Sequence, residues 1–590
     1  MRGRRILLSG ALLCALAALA PAAALAKPNS GFKTSRPSML TPVKPGTTVT
    51  PLMTVGDTLA SGYRFESIPD GISLDNRGHH RVNVFVNHET GKVPFPWSAT
   101  GGNTEANAEN DFDNSQVSRL LMNRDTAGVL RGSFAITSSF GYQRFCSNYL
   151  ATKKEGFSRD ILFTNEESPD YVLRQEESWP PLPIGHPDEK EAGLVVALDA
   201  KSGKHHPIPG MGRHNHENSV PLPGYGKPVV LSGDDTFTSG PLSPAGSEPQ
   251  EPAQSQLYSY IAKNTNDVLK DKGDLWAFVS DTPGVNDYYD VLPGAGPPVT
   301  GHFVKVPRNI ATGLNPDGSE IQSEDVGYPE PPNDGSWQPE PRWQQPAPVP
   351  GVDGPQWVLQ HWSDLNNVFQ FVRVEDIAYD KRPGMGNVVY IVDSGRGRTG
   401  TGPEAGQPFR STNGRVWKMV FDEEDPTKVT SLTVFVEGDD NPVKTPNEIH
   451  QPDNLESTEN GILVTEDPGS SQQFPAGGGG DANATTARLW HVPLAGDAGK
   501  EIVARVDQSQ DGPAGGDVDG RPAGNWGAWE SSGIVDASES FGPGTFLIDV
   551  QAHTLWIERA PGEDNFAPPG PDFTYKREGG QLILIRIPGG

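Results

Sequence analysis

The chain has only two cysteines, Cys14 and Cys146. Cys14 falls in a removable leader, so the mature chain cannot close an internal disulfide. Its stability must come from burial and from bound ions. The remaining thiol, Cys146, is either a small buried apolar side chain or a metal ligand.

Long apolar runs are equally scarce. The one near the start, Ile6 to Leu19, follows Arg2, Arg4 and Arg5 and precedes Ala24-Leu25-Ala26. A basic segment, a short apolar stretch and a small-x-small site read as an export signal over residues 1–26, with Lys27 as the first mature residue. The run is too short and too rich in alanine for a membrane span. No later run is long enough either, so no stable membrane insertion is expected. The reading is a secreted or extracytoplasmic protein of the periplasm or cell envelope.

Positive charge is also in deficit: 48 Lys and Arg against 75 Asp and Glu give a net charge of −27. Losing the leader removes three arginines and no acids, which makes the mature chain more negative still. A binder of nucleic acid needs a basic face, so nucleic acid is not the expected partner. A carboxylate-rich chain suits hard cations, calcium first among them, although acidic surfaces also serve plain solubility.

Several catalytic signatures are missing. There is no Gly-x-Ser-x-Gly elbow, no P-loop, no His-Glu-x-x-His and no Cys-x-x-Cys. Gly395-Arg-Gly-Arg-Thr-Gly400 has dinucleotide-loop spacing, but Gly402-Pro403 and Gly406 follow where a helix would have to start. Asp517-Val-Asp-Gly520 lacks the later ligands of a calcium loop and reads as a turn. His205, His206, His214 and His216 raise zinc as a candidate but fit no zinc spacing, and most of them read as surface or turn residues.

What the sequence does contain is short apolar runs between turn residues. There are 68 glycines and 56 prolines, which leave little room for long helices. The runs Val82–Val86, Ile161–Phe163, Leu194–Leu198, Val229–Leu231, Leu257–Ile261, Leu275–Val279, Val388–Val392, Val416–Phe421, Ile462–Val464, Leu489–Val492, Phe546–Val550 and Leu582–Ile587 read as strands. The class is all-β. Strand-turn units repeated along so long a chain favour a β-propeller with long loop insertions. Residues 27–55 read as a poorly ordered or wrapping arm, and residues 56–590 as one domain. The Pro-rich stretch 328–355 reads as a surface insertion.

The chemistry lies at the strand ends. Val82-Asn-Val-Phe-Val-Asn-His-Glu89, Ile161-Leu-Phe-Thr-Asn-Glu-Glu167, Val229-Val-Leu-Ser-Gly-Asp-Asp235 and Ile462-Leu-Val-Thr-Glu-Asp467 all end in acidic groups, and Phe371-Val-Arg-Val-Glu-Asp376 carries another pair. In a propeller such ends converge on one face. Clustered carboxylates there repel unless cations neutralise them, which points to oxygen-liganded metals. A short hairpin would bring Gly212-Arg-His-Asn-His-Glu217 to Asp235.

These strings, in this order, together with Pro452-Asp-Asn-Leu455 and Phe541-Gly-Pro, resemble the PhoX family of secreted alkaline phosphatases over about residues 80 to 555. The resemblance implies a β-propeller, six-bladed, that hydrolyses phosphomonoesters at a site of calcium ions and ferric iron. By motif, Glu166, Glu167, Glu217, Asp235, Glu375 and Asp453 would be metal ligands, and Arg373 would hold the phosphate. Asn165 stands where the family has a cysteine and Val374 where it has a proline, so Cys146 is the one thiol that iron could use. The implied reaction is attack by water, or by a metal-bound oxygen, on a phosphate held by cations and Arg373. The implied substrate is a small phosphomonoester, and the chain would act as a monomer. Two other readings fit the same strand ends. One is a calcium-dependent phytase or phosphodiesterase. The other is a calcium-stabilised propeller that binds a partner through the 328–355 loop.

Overall fold

A computed structural model describes residues 30–78, 80–91, 97–98, 114–169, 171–172, 190–236, 253–294, 296–331, 353–395, 413–438, 447–467, 485–508, 529–552, 556–558, 575–576 and 579–589. The leader, most of the 328–355 insertion, residues 396–400 and residues 517–520 lie outside these.

The described chain is all-β and propeller-like. Every apolar run read as a strand overlaps one. The first sheet is Pro69–Asn76, Arg81–His88, Gln116–Asn123 and Val129–Ile136. The second is Phe145–Ala151, Ile161–Glu166, Val195–Asp199 and His205–Pro207. The third has nine strands, with His216–Pro221 at one edge and Val374–Tyr379 at the other. The fourth is Pro452–Ser457, Gly461–Glu466, Arg488–Pro493 and Glu501–Val506, with Leu40–Pro42 on its outer edge. The fifth is Glu530–Asp536, Thr545–Ala552, Gly579–Arg586 and, from far upstream, Thr48–Thr54. Part of the expected arm thus supplies edge strands to two sheets.

The two edges of the nine-stranded sheet pack against each other, so it nearly closes on itself. Its middle is joined by pairing of Val299–Lys305 with Lys428–Glu437. The inner strands Pro69–Asn76, Phe145–Ala151, His216–Pro221, Val374–Tyr379, Pro452–Ser457 and Glu530–Asp536 contact one another in that order, and the last returns to the first.

The second strand of each unit explains why the apolar runs are continuous rather than alternating. Successive residues enter different cores. Val229 and Leu231 pack with Val389, Ile391 and Trp417, while Val230 packs with Ile161, Phe163 and Tyr258. Ile462 and Val464 join Tyr390 and Val416, whereas Leu463 joins Ile548 and Ile583. Leu547 meets Val82, Val84 and Val86, and Leu162 meets Phe85 and Val117. A strand covered on both faces loses the polar half of its pattern. Burial of each large aliphatic side chain contributes about 1.5–3 kcal/mol, so these inter-sheet cores hold the ring together.

The longest helix among the described residues interrupts the strand grammar. Pro355–Leu365 follows the insertion, with Pro355 in its first turn and Trp357, Val358, Leu359 and Trp362 buried.

Candidate metal centre

Each inner strand loses register with its neighbour at the same place. The breaks lie between Pro69 and Ile72, Phe145 and Asn148, His216 and Ser219, Val374 and Ile377, Pro452 and Leu455, and Ser531 and Ile534. Such a β-bulge re-aims a side chain that would otherwise lie in the pleat. In each bulge two residues oppose one, and the first of the two is Asp70, Cys146, Glu217, Glu375, Asp453 or Ser532. The second is Gly71, Ser147, Asn218, Asp376, Asn454 or Gly533. At Gly533 a Cβ would sit 2.8 Å from the Asp70 carbonyl oxygen, so close approach of the strands requires glycine there.

Five of these first bulge residues therefore carry donor groups, and they meet. Asp70, Glu89 and Cys146 bring ligand atoms within 4.8 Å of one another; so do Cys146, Glu167 and Glu217, and so do Glu217, Glu375 and Asp453. Shared members make this one chain of donors. Cys146 Sγ donates to Asp70 Oδ2 at 3.2 Å. Ser147 Oγ donates to Glu217 Oε1 at 2.7 Å, and Asn454 Nδ2 to Ser147 Oγ at 2.8 Å. Ser394 Oγ donates to Glu375 Oε1.

The residues at the ends of the second strands have two jobs. In three units the acid that ends the second strand braces backbone. Glu166 accepts from the N–H groups of Gln143 (2.8 Å) and Leu194 (3.0 Å). Asp393 accepts from Val372 and Arg373, both at 3.1 Å. Glu466 accepts from His450 N–H at 2.8 Å and is paired with buried Arg488, also at 2.8 Å. Each brace holds the segment entering an inner strand. The acid after the strand end joins the centre at Glu167, whereas Asp235, in the equivalent place, is held by Arg373.

Of the expected ligands, Glu167, Glu217, Glu375, Asp453 and Cys146 are brought together. Glu166 is not among the three groups, because its oxygens are used by backbone donors. Asp235 is buried and held by Arg373, whose Nε and Nη2 donate to its two oxygens at 2.8 and 2.7 Å. Arg373 Nη2 also lies 3.1 Å from Glu375. The hairpin expected between Glu217 and Asp235 exists, with His216 opposite Asp234.

Two members, Asp70 and Glu89, were not among the expected ligands. Glu89 was visible as a strand-end acid. Asp70 had a fainter signal: Pro69-Asp70 repeats the Pro452-Asp453 step at the same bulge position. Two histidines are corrections. His214 and His216 are buried, not surface or turn residues, with ring centroids 3.5 Å apart. Burial drives both below the usual imidazole range, His216 to about 3, so they sit there neutral.

Electrostatics demand a counter-charge. Burial, then neighbouring carboxylates, push Glu167 and Asp453 far above the usual range. Burial, then Asp70, raises Glu217. Burial also raises Glu375, against the pull of Arg373. Burial, then Asp70 and Glu217, raises the Cys146 thiol. A bound cation would oppose these shifts and favour the ionised forms. The donor set fits hard cations: carboxylate oxygens predominate, Asp70 Oδ1 has no hydrogen-bond donor among the described residues, and one thiol sits between two groups.

No protein family and no curated protein matches the sequence. Among solved structures, a Pyrococcus horikoshii acylaminoacyl peptidase is similar at 8% identity with a TM-score of 0.21, over 74% of this chain and 52% of that one. This chain spans about half the length of that protein.

Proposed function

We propose that the protein is a metal-dependent phosphomonoester hydrolase of the PhoX type, built as a six-bladed propeller. Three features support six blades. The nine-stranded sheet divides into two four-stranded units and a joining strand, the inner strands contact in a ring, and the same bulge recurs in each.

The observation that carries the function is the donor chain itself. Five inner strands place Asp70, Cys146, Glu217, Glu375 and Asp453 at one equivalent position, where Glu89 and Glu167 join them. These residues would hold calcium, with Cys146 the ligand available to ferric iron. Bound cations supply Lewis acidity and an activated water. The chain's own groups do the rest. Arg373, fixed by Asp235, presents a planar cation at the edge of the centre, suited to a phosphate oxygen. Glu166, Asp393 and Glu466 keep the strand entries rigid, so the donors stay preorganised.

The test is elemental analysis of the purified mature chain, followed by assay with p-nitrophenyl phosphate and its diester, with and without chelator. Bound calcium and chelator-sensitive monoester hydrolysis are expected. A metal-bearing protein that melts earlier in chelator but releases no phosphate would instead make the chain a binding module. A protein that binds no metal would remove both readings.

A further inference from the structure

The donor chain lies where the inner strands begin. The opposite end, where they finish, has a different character. Loops there join the first strand of each unit to the second, and the third to the fourth. In the second sheet and the adjoining part of the nine-stranded sheet these are residues 152–160, 200–204, 222–228 and 262–273. They carry exposed Lys153, Lys154, Lys201, Lys204, Lys263, Lys270 and Lys272, with Lys227 half-buried beside them. For a chain of net charge −27 this is a marked segregation.

The loops form one surface. Ala200 N donates to the Asp160 carbonyl at 3.1 Å, Ser158 N to Thr265 Oγ1 at 2.8 Å, and Ala262 N to the Pro228 carbonyl at 3.1 Å. Most acids among them are already engaged. Glu155 is buried and accepts from Thr152 and Tyr379, Asp199 pairs with Arg159 at 2.9 Å, and Asp271 pairs with Arg308 at 2.6 Å. None of the seven exposed lysines forms an ion pair among the described residues. Toward the rest of that end, the hairpin Asp422-Glu423-Glu424-Asp425 borders Lys227 and limits the basic area.

We propose that this lysine face docks the protein onto an anionic lipid bilayer, with the metal centre turned away from the membrane. The chemistry favours a bilayer over a polymer. The exposed cations are lysines, compact hydrated point charges of which Lys154 also lies over the Tyr379 ring at 5.1 Å, while the local arginines are tied to Asp199 and Asp271. No large apolar side chain is exposed on these loops among the described residues, so the contact is peripheral and does not insert. Each lysine near an anionic surface adds to the attraction, which decays within the Debye length. The proposal is independent of the hydrolase reading.

The test is flotation of the purified mature protein, in calcium-free buffer, with phosphatidylglycerol–phosphatidylcholine vesicles and with phosphatidylcholine alone. Binding to the anionic vesicles only, lost at high salt, is expected. The combined Lys153→Glu, Lys154→Glu, Lys201→Glu and Lys204→Glu variant should bind at least about tenfold more weakly while melting normally, and the matching Gln variant should fall between. No binding at low salt, or wild-type binding by a folded charge-reversed variant, overturns the proposal. So does tighter binding to long-chain polyphosphate than to vesicles of matched charge, which would make a soluble polyanion the partner.

Discussion

Glu166 and Glu167 are adjacent in the chain, yet Glu166 accepts from the backbone of Gln143 and Leu194 while Glu167 faces Cys146 and Glu217. One residue fixes the frame and the next supplies charge to the centre. Glu166→Gln keeps the shape but leaves one acceptor oxygen for two backbone N–H groups, so one of them faces an amide NH2. A loss of about 1–3 kcal/mol in denaturant unfolding is expected, with partial metal content. Glu167→Gln should show the reverse: reduced metal content and little loss of stability in the metal-free form.

Glu217 belongs to two of the three donor groups. Glu217→Gln should abolish metal loading, read by elemental analysis, and hydrolysis with it. At neutral pH the same variant should leave the metal-free protein as stable as wild type or more so, because an amide carries no proton-linked cost there. Full metal content in this variant would contradict the assignment.

The sign of the pH dependence follows from the raised carboxyl groups. Asp376 is pushed to about 7 and Asp234 to about 8, each chiefly by burial, against an unfolded value near 4. The folded metal-free protein therefore holds more protons than the unfolded chain between about pH 4 and pH 8. Its stability is full at the acid end of that window and falls as pH rises through it. Chelated protein should melt progressively lower across this range. Metal-loaded protein should show a smaller fall, because its donor carboxyls no longer add to that of Asp376 and Asp234, and metal binding at neutral pH should release protons, measurable by calorimetry in buffers of different ionisation enthalpy.

Cys146 is buried against Asp70, and burial, followed by nearby acids, disfavours its thiolate. In native metal-free protein it should resist thiol reagents and react on unfolding. Cys146→Ser should retain calcium and lose any iron, read by elemental analysis and by loss of visible absorbance.

The strands were legible because their central members are covered on both faces, which leaves continuous apolar runs such as Val388–Val392. The acidic pairs were legible as a cluster, but not by role. Which acid braces and which faces inward depends on a bulge in the strand beside it, and sequence spacing does not report register. Asp70 was missed because a single Pro-Asp-Gly step also describes an ordinary turn. The buried His214–His216 pair was missed because polar neighbours hid its burial. The helix Pro355–Leu365 follows a Pro-rich stretch and buries glutamines as well as tryptophans, so its apolar period is faint.

Thr48–Thr54 pairs with Gly579–Arg586, so one sheet is completed by segments more than five hundred positions apart. The ring of sheets cannot close until both segments have been made, so its closure is a post-synthetic event in which one of the first strands made waits for the last.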